Sequence, residues 1–545
     1  VGASVAVASL NNTINAGIKG TGKNGLAYAD VGNVEVHALS ALTAVTAAVS
    51  AGATKTSKSD GTSVNIQGAG VYNSVNNTAN SYIDGANIAT TAAGSVRVRA
   101  MDTNKQDAAV YQELLTRGAS DKAAELARTS SIIDTKGNSY YDGLDTAMTD
   151  DGSGDGTLDL DTIGKNGSTI VTAAAGVAVT NGDAAVGASV AISDIDNKFT
   201  AKITDSEITA ADVEAQANSD TLLVGVAGGV GVGNKIGGVG SASWQDIDNT
   251  AAATISGSTI KAQSVSGRAV NTAKMINVAG QIAGGKSALG AGLGYSGLSN
   301  VTGAYLHDNL IDKRSIDTDG VIVNANAANG NKMYTIGASV AAATENAAIT
   351  GTVVLTRADG KTDALISDSE ITNAKAVGAA AADTTYTYTV MGNVAAGAKA
   401  GVGAGVAYTD IGGSSGDAAK AGQVTNAGIK GTQIESAAAG AAVSVSAVDS
   451  SKILNVAVGV GGAGKVAVQG AASTALVNKQ TQAVLEATDI DKDDDNAARA
   501  DVTVKAQSDS KIFNTAVVAA GAGTAAVGAG VAVNRIVQQT GAEVQ

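Results

Sequence analysis

The sequence predicts an all-β protein, a right-handed parallel β-helix (β-solenoid) with one helical insertion. Three observations predict it. A degenerate repeat of about 51 to 60 residues runs along most of the chain, and fixed-period similarity of this length marks stacked repeat architectures. Inside each repeat, apolar and polar residues alternate with period two, the signature of a strand with one buried face. The side chains available for a core are small: the 545 residues include 69 Gly, 2 Phe, 1 Trp, no Pro and no Cys.

The repeat begins at an Asn anchor followed by a small residue four places on and Ile, Leu or Val six places on. It recurs at Asn12, Asn77, Asn197, Asn249 and Asn300, with a looser copy at Asn478 and another at Gln538. NAGIKGT occurs at both Asn15 and Asn426, and TDSEIT at Thr204 matches SDSEIT at Ser367. A second Ile follows the first by five positions, as in Ile83/Ile88, Ile203/Ile208, Ile255/Ile260, Ile366/Ile371 and Ile429/Ile434, with Asp-Ser, Gly-Ser or Gly-Thr between them. That spacing reads as strand, tight turn, strand. An alternating stretch comes next: Val34/Val36/Ala38, Val96/Val98/Ala100, Val443/Val445/Ala447 and Val502/Val504/Ala506.

A Gly/Ala/Val segment closes the repeat, as in Val456 to Val468, and its glycines suit corners and close backbone approach. On this reading each repeat forms two or three short coils. On the order of twenty coils at about 4.8 Å spacing then make a rod roughly 100 Å long. The recurring Asn predicts an amide ladder inside a turn, bonded from coil to coil. Asn11, Asn76 and Asn300 also stand in N-x-S/T sequons, the surface alternative for these positions.

Three segments follow: solenoid repeats over 1–101, an inserted protrusion over 102–165, and solenoid repeats over 166–545. The insertion has helix-forming composition, with Val110, Leu114, Leu115 and Leu126 at near-helical spacing. After it, Asp151, Ser153, Asp155, Thr157 and Asp159 occupy alternate places of a Gly-containing loop that resembles the calcium loop of EF-hand and dockerin-like proteins. Thr162 stands where that loop has a bidentate Glu, so calcium is weighed against a solvated acidic loop. DIDKDDDN at Asp489 is a weaker match and DTDG at Asp317 reads as a plain turn.

Several patterns argue less than they first suggest. GQIAGGKS at Gly280 satisfies the phosphate-loop pattern, but Lys235, Lys399 and Lys465 recur at the same stage of the repeat, so Lys286 belongs to a corner. Asp205/Glu207 and Asp368/Glu370 are repeat copies of one another, which fits turn residues better than the carboxylate pair of a carbohydrate-active β-helix. His37 and His307 have no metal-spaced partners, and without Cys there is no thiol nucleophile. The expectation is a protein that is not an enzyme, with no catalytic residues and no cofactor other than calcium.

A net charge of −14 disfavours nucleic acid, and no run of about 18 apolar residues predicts a membrane-spanning helix. The chain starts and stops inside strand-like pattern and reads as a piece of something longer. GASVAV at Gly2, GASVAI at Gly187 and GAGVAV at Gly528, leading into the Asn element and then V-x-V-x-A, resemble the repetitive passengers of type V secretion. These include leukotoxin-type filamentous adhesins, haemagglutinin-like exoproteins and autotransporter passengers. The resemblance implies a right-handed β-helix displayed outside a bacterial cell, associated with the outer membrane, with roles in adhesion, aggregation or biofilm. It leaves open whether the partner is a receptor, met through Tyr111 to Arg128 of the insertion, or neighbouring copies of the chain in a filament or surface layer.

Overall fold

The computed structural model describes residues 1–20, 26–55, 63–102, 167–415, 417, 420–437, 440–491 and 499–545. These form a β-solenoid in which one repeat makes one coil. In a representative coil, Ala184–Thr204 runs along sheet A, and a two-residue corner leads to the short strand Glu207–Thr209. A second corner leads into Asp212–Val232 on sheet B, and a third at residues 233–235 returns the chain to sheet A as Ile236–Ser256. That strand lies parallel and in register on Ala184–Thr204, so Asn249 sits against Asn197, 52 residues earlier.

Sheet A has ten strands in nine rows, because Ala400–Ile411 and Gln423–Lys430 share one; the 17 strands of sheet B fall into eight rows. Counting from Gly2–Lys19 as row one, nine rows at 4.8 Å give a stack about 40 Å deep. Strands of about 21 residues make it about 70 Å wide. The rod of some twenty short coils is therefore corrected to fewer, much larger coils. The error lay in the glycines. The glycines of Val456 to Val468 suit both corners and close approach, yet Ala442–Ala463 is one uninterrupted strand and only Gly464 and Lys465 form the corner. Glycine serves closeness here: a Cβ on Gly231 would overlap the backbone carbonyl of Gly238 opposite, so the two sheets can pinch together at this end.

The corner after sheet A repeats one device. Its first residue takes a left-handed conformation: Gly85, Asp205, Gly257, Asp308, Asp368, Gly431 and Ala487 all have φ between 47° and 63°. Only Gly does so without strain, and Asp tolerates it best among the rest. In five of these corners the second residue carries a hydroxyl that bonds back to the strand just ended, while Asn309 bonds the Ile255 carbonyl of the adjacent row and Ala86 has no such group. Ser206 Oγ donates to the Thr204 carbonyl at 2.7 Å, and Ser258, Ser369, Thr432 and Thr488 repeat the bond at 2.8–3.0 Å. The same oxygens accept backbone N–H groups from the adjacent row, Ala86 to Ser206 and Ser206 to Ser258, both at 3.2 Å. The corner thus stays hydrogen-bonded along the stack where the strand ladder is interrupted.

Inward-facing residues stack into columns. Ile83, Ile203, Ile255, Leu306, Ile366 and Ile429 form one on sheet A, and Ile88, Ile208, Ile260, Ile311, Ile371 and Ile434 form its partner on the short strands. With the V-x-V-x-A residues of sheet B they make the main core, at the wide end of the cross-section. The second Ile of each repeat is where the sequence placed it, across the corner.

Beside this core runs a polar column: Asn12, Asn77, Asn197, Asn249 and Asn300, then Gly360, Gln423, Lys479 and Gln538. Asn12 Nδ2 donates to Asn77 Oδ1 at 3.2 Å and Asn197 Nδ2 to Asn249 Oδ1 at 3.0 Å. The amide ladder exists, but in mid-strand facing sheet B rather than in a turn. Lys479, not Asn478, holds the ladder position; its own Ala483 and Leu485 satisfy the +4 and +6 spacing. Asn300 is fully buried, which removes it as a glycosylation site.

Cutting Ile255 to Ala removes a buried side chain from the centre of a continuous column. We expect a loss of about 2–5 kcal/mol in chemical denaturation, against under about 0.5 kcal/mol for Thr254→Ala on the outer face of the same strand.

Candidate functional site

The most informative place on the coil surface is where the chain leaves sheet B in row two. Ser95–Asp102 ends there and Ser168–Thr180 begins. Asn218 of the next row pairs with Met101, and Thr221 pairs with Ser168. Ser219 and Asp220 therefore lie against Asp102 and Gly167, as though those two were consecutive. On the other side Ser40 pairs with Asp102 and Thr43 with Thr169, again leaving two residues against two. Segment 103–166 enters and leaves the strand at a single link without shifting its register.

This departure point is built with buried hydrogen bonds. Ser168 Oγ donates to Asp102 Oδ1 at 2.9 Å, and the Asp220 backbone N–H donates to Asp102 Oδ2 at 3.3 Å. Burial, with the Asp220 charge added, raises the Asp102 carboxyl well above the usual carboxylate range. Just upstream lies a cluster of ion pairs on the outer face. Arg99 Nη2 meets Glu214 Oε2 at 2.6 Å, Arg97 meets Glu35 at 3.4 Å, and His37 lies 3.5 Å from Glu35. Burial and the Arg99 charge depress His37 to about 4, so the imidazole is neutral near pH 7.

Asp151, Ser153, Asp155, Thr157 and Asp159, together with the helix-like stretch Tyr111 to Arg128, lie outside the described residues. In the second acidic run, Asp491 is occupied by the protein itself. It accepts from the Ser436 N–H at 2.7 Å, the Ser436 hydroxyl at 2.8 Å and the Ala500 N–H at 3.0 Å, which ties the ends of segment 492–498 together. Asp317 is a turn residue, as expected. It accepts from Arg314 at 2.8 and 2.9 Å and from Gln263 at 2.8 Å, and the Arg314 bonds hold its carboxyl below the usual range. Asp205 and Asp368 are the left-handed corner residues described above.

Lys286 sits between the strand Ser264–Gly285 and the strand Ser287–His307. A phosphate loop leads into a helix N-terminus, and this one leads into another strand. Lys235, Lys399 and Lys465 precede their sheet A strands in the same way, with Lys235 paired to Asp183 at 2.6 Å and Lys286 to Glu345 at 2.8 Å. Among the described residues, no group of three or more His, Asp or Glu is arranged to hold a metal ion.

Two features escaped the sequence reading. The first is a buried charge cluster in the polar column. Lys479 Nζ donates to Asp449, to the Ser451 hydroxyl at 3.1 Å and to the Asp509 carbonyl at 3.0 Å. One row away, Asp383 accepts from Asn329 at 2.6 Å and Thr385 at 3.0 Å. Burial and the Asp449 charge raise Asp383, so the cluster of two carboxyls and one ammonium favours a proton on Asp383. The second is the outer face of sheet A, where Trp244 and Tyr295 stack at 3.9 Å beside the carboxylates Asp194, Asp196, Asp246 and Asp248.

Comparison with known proteins finds no family model, no curated protein and no solved structure that matches the chain.

Asp220, Asp246 and Asp410 are each pushed up to about 6, chiefly by burial. A carboxyl raised on folding contributes stability that is full below its unfolded value near 4 and is lost as pH rises through 6. His37 acts oppositely: its contribution is present above 6.5 and lost as pH falls toward 4. Asp102, Asp248, Asp383 and Asp449 are raised as well, so seven raised carboxyls stand against one lowered imidazole, and the melting temperature is expected to be higher at pH 5 than at pH 7.5. A scanning melt series checks the sign.

Proposed function

We propose that this chain is a structural and adhesive segment of a secreted bacterial surface fibre, taking part in attachment, aggregation or biofilm formation, and that it is not an enzyme. The observation that carries the reading is the departure point in row two. A long segment inserted at one link of a sheet, with the rows on both sides still in register, is a display arrangement: the solenoid supplies a stiff support and the segment supplies variable recognition. The resemblance of the GASVAV, Asn-element and V-x-V-x-A repeats to type V secretion passengers points the same way and supports an extracellular, outer-membrane-associated location. No helix among the described residues is long and apolar enough to cross a membrane. A second reading, a self-assembling filament or surface-layer component, is favoured by the apolar outer faces of both sheets.

Joining Asp102 directly to Gly167 tests the display reading. The expected result is an unchanged far-ultraviolet spectrum and melt, with attachment of displaying cells reduced at least tenfold. Full attachment by the deleted protein would contradict the reading.

Within the inserted segment, Asp151, Ser153, Asp155, Thr157 and Asp159 would hold calcium through their side-chain and backbone oxygens, at modest affinity because Thr162 replaces the bidentate carboxylate. Calcium in excess of its dissociation constant should raise the melting temperature of the intact chain and leave the deleted chain unaffected. Identical melts of the intact chain in calcium and in chelator would remove the metal from the account.

A further inference from the structure

The outer faces of the two sheets carry the same profile, and they end in opposite charge. Outward-facing positions can be counted from the corner at which sheet B returns to sheet A. In row four, sheet A presents Ile236, Gly238, Gly240, Ala242, Trp244 and then Asp246. Sheet B in the same row, counted back from the next such corner, presents Gly284, Ile282, Gly280, Val278, Ile276 and then Lys274.

The agreement holds down the stack. The third position on sheet A is a furrow floored by Ala291, Gly351, Ala404, Gly470 and Ala529, walled by Val353, Val406 and Val531, with a volume of about 690 Å³. The third position on sheet B is likewise small in rows three to six, with Gly228, Gly280, Ala338 and Gly392 flanked by Val230, Ile282, Val340 and Val394, and is filled by Val458 and Val517 in rows seven and eight. The fifth position is aromatic or bulky on both: Trp244, Tyr295 and Tyr408 on sheet A; Tyr334, Tyr388 and Phe513 on sheet B.

Charge then separates the two faces. At the sixth position sheet A carries Asp194, Asp246, Arg357, the largely buried Asp410 and Arg535, and at the seventh Asp196, Asp248 and Asp359, with Arg357 bound at 2.7 Å to Asp359. At the sixth position sheet B carries Lys274, Lys332, Lys452 and Lys511; Lys332 is largely covered and lies 5.6 Å above the Tyr334 ring, and Lys511 is paired with Asp509 at 3.2 Å. The carboxylates occupy rows three, four, six and seven, and the lysines rows four, five, seven and eight. The spacing is the same with an offset of one row. Sheets A and B run in opposite chain directions, so a single repeated sequence pattern does not by itself produce this match.

We propose that these two faces bind one another between copies of the chain, the outer face of sheet A of one molecule docking on the outer face of sheet B of the next. A translation along the sheet normal combined with a shift of one row keeps the corners on one side and sets apolar ridge on apolar ridge and aromatic on aromatic, with Lys274, Lys332 and Lys511 against aspartates and Lys452 against the Arg357–Asp359 pair. The contact is heterologous, so it propagates as an open lateral array. With sheet B limited to eight rows and the faces offset by one, seven paired rows about 30 Å wide present about 1,000 Å² on each partner, above the roughly 800 Å² per partner of a standard-size interface. Val5, Leu289, Val226 and Ile282 are exposed members of these faces, and a continuous apolar area of this extent marks an association surface. The departure point of segment 103–166 lies in row two, outside the rows that carry the charges. This inference deepens the fibre reading by naming a partner. A chain that stays monomeric would remove that partner while leaving attachment through the inserted segment to its own experiment.

Sedimentation velocity of the intact chain at rising concentration provides the test, with two charge variants: Asp194→Lys/Asp196→Lys/Asp248→Lys on sheet A and Lys274→Glu/Lys452→Glu/Lys511→Glu on sheet B. The parent should form larger species as concentration rises. Each variant alone should need at least tenfold more protein to do so, because like charges face one another. An equimolar mixture should recover parent-like association, since each variant's altered face then meets the other's. Val353→Glu, beside the furrow, gives an independent block. A parent that stays monomeric, whether or not it pellets with zwitterionic lipid vesicles, overturns the proposal. So does parent-like association of either charge variant alone or of the Val353 variant.

Discussion

A residue in a parallel, in-register stack has its counterpart from the next coil about 4.8 Å away, and that counterpart has another beyond it. Each position in the coil is therefore a column, and a column tolerates only side chains that suit their own copies. Isoleucine and valine columns bury continuously at the wide end, and in the asparagine column Asn12 bonds Asn77 and Asn197 bonds Asn249, while Asn300 bonds across to sheet B. Alanine and glycine permit the two sheets to close at the narrow end. The near-absence of bulky aromatics follows, since a large ring repeated every row would not fit between sheets this close. Phe199 is the one Phe that is fully buried, and its column neighbours Ala79 and Ala251 are small.

The same constraint explains why the interior alternates in polarity along the strand. Between the main core and a second apolar cluster at Val75, Ile195, Ile247 and Met333 runs the Asn and Lys479 column. Beyond that cluster lies a chain of hydroxyls that crosses between sheets. Thr335 donates to Ser296, Thr356 to Thr335 and Thr409 to Thr389, all at 2.7–2.8 Å. A buried polar group costs free energy unless it is paired, and here the partner is supplied by the next coil or by the facing sheet of the same coil. Polar columns also oppose slippage: a shift of one residue would turn a paired amide column outward and bring a charged one inside. The insertion in row two is compatible with the same rule because it removes no residue from any column.

Much of this was legible in the sequence. The paired Ile residues five apart marked the corner, the V-x-V-x-A stretch marked the inward face of sheet B, and the recurring Lys removed the apparent phosphate loop. What was hidden was strand length, since Gly and Ala signal a corner and a close sheet contact equally well, and only pairing tells them apart. Lys479 was hidden because Asn478 next to it mimics the anchor, although the +4 and +6 spacing favoured the lysine. The outward charge columns were hidden for a different reason. Outward residues differ from coil to coil, so Asp246 and Lys274 acquire meaning only once two sheets, traversed in opposite directions, are set side by side. The inserted segment and its acidic loop stay as the sequence left them.

The central claim is that one repeat makes one coil. The chain has no Cys, so paired spin labels can be placed cleanly at Lys198→Cys and Gln480→Cys, which lie in one outward column five rows apart. Double electron–electron resonance should give a narrow distribution near 24 Å, five spacings of about 4.8 Å. A distance of about 48 Å or more would mean that each repeat winds through two or more coils, and would contradict the account.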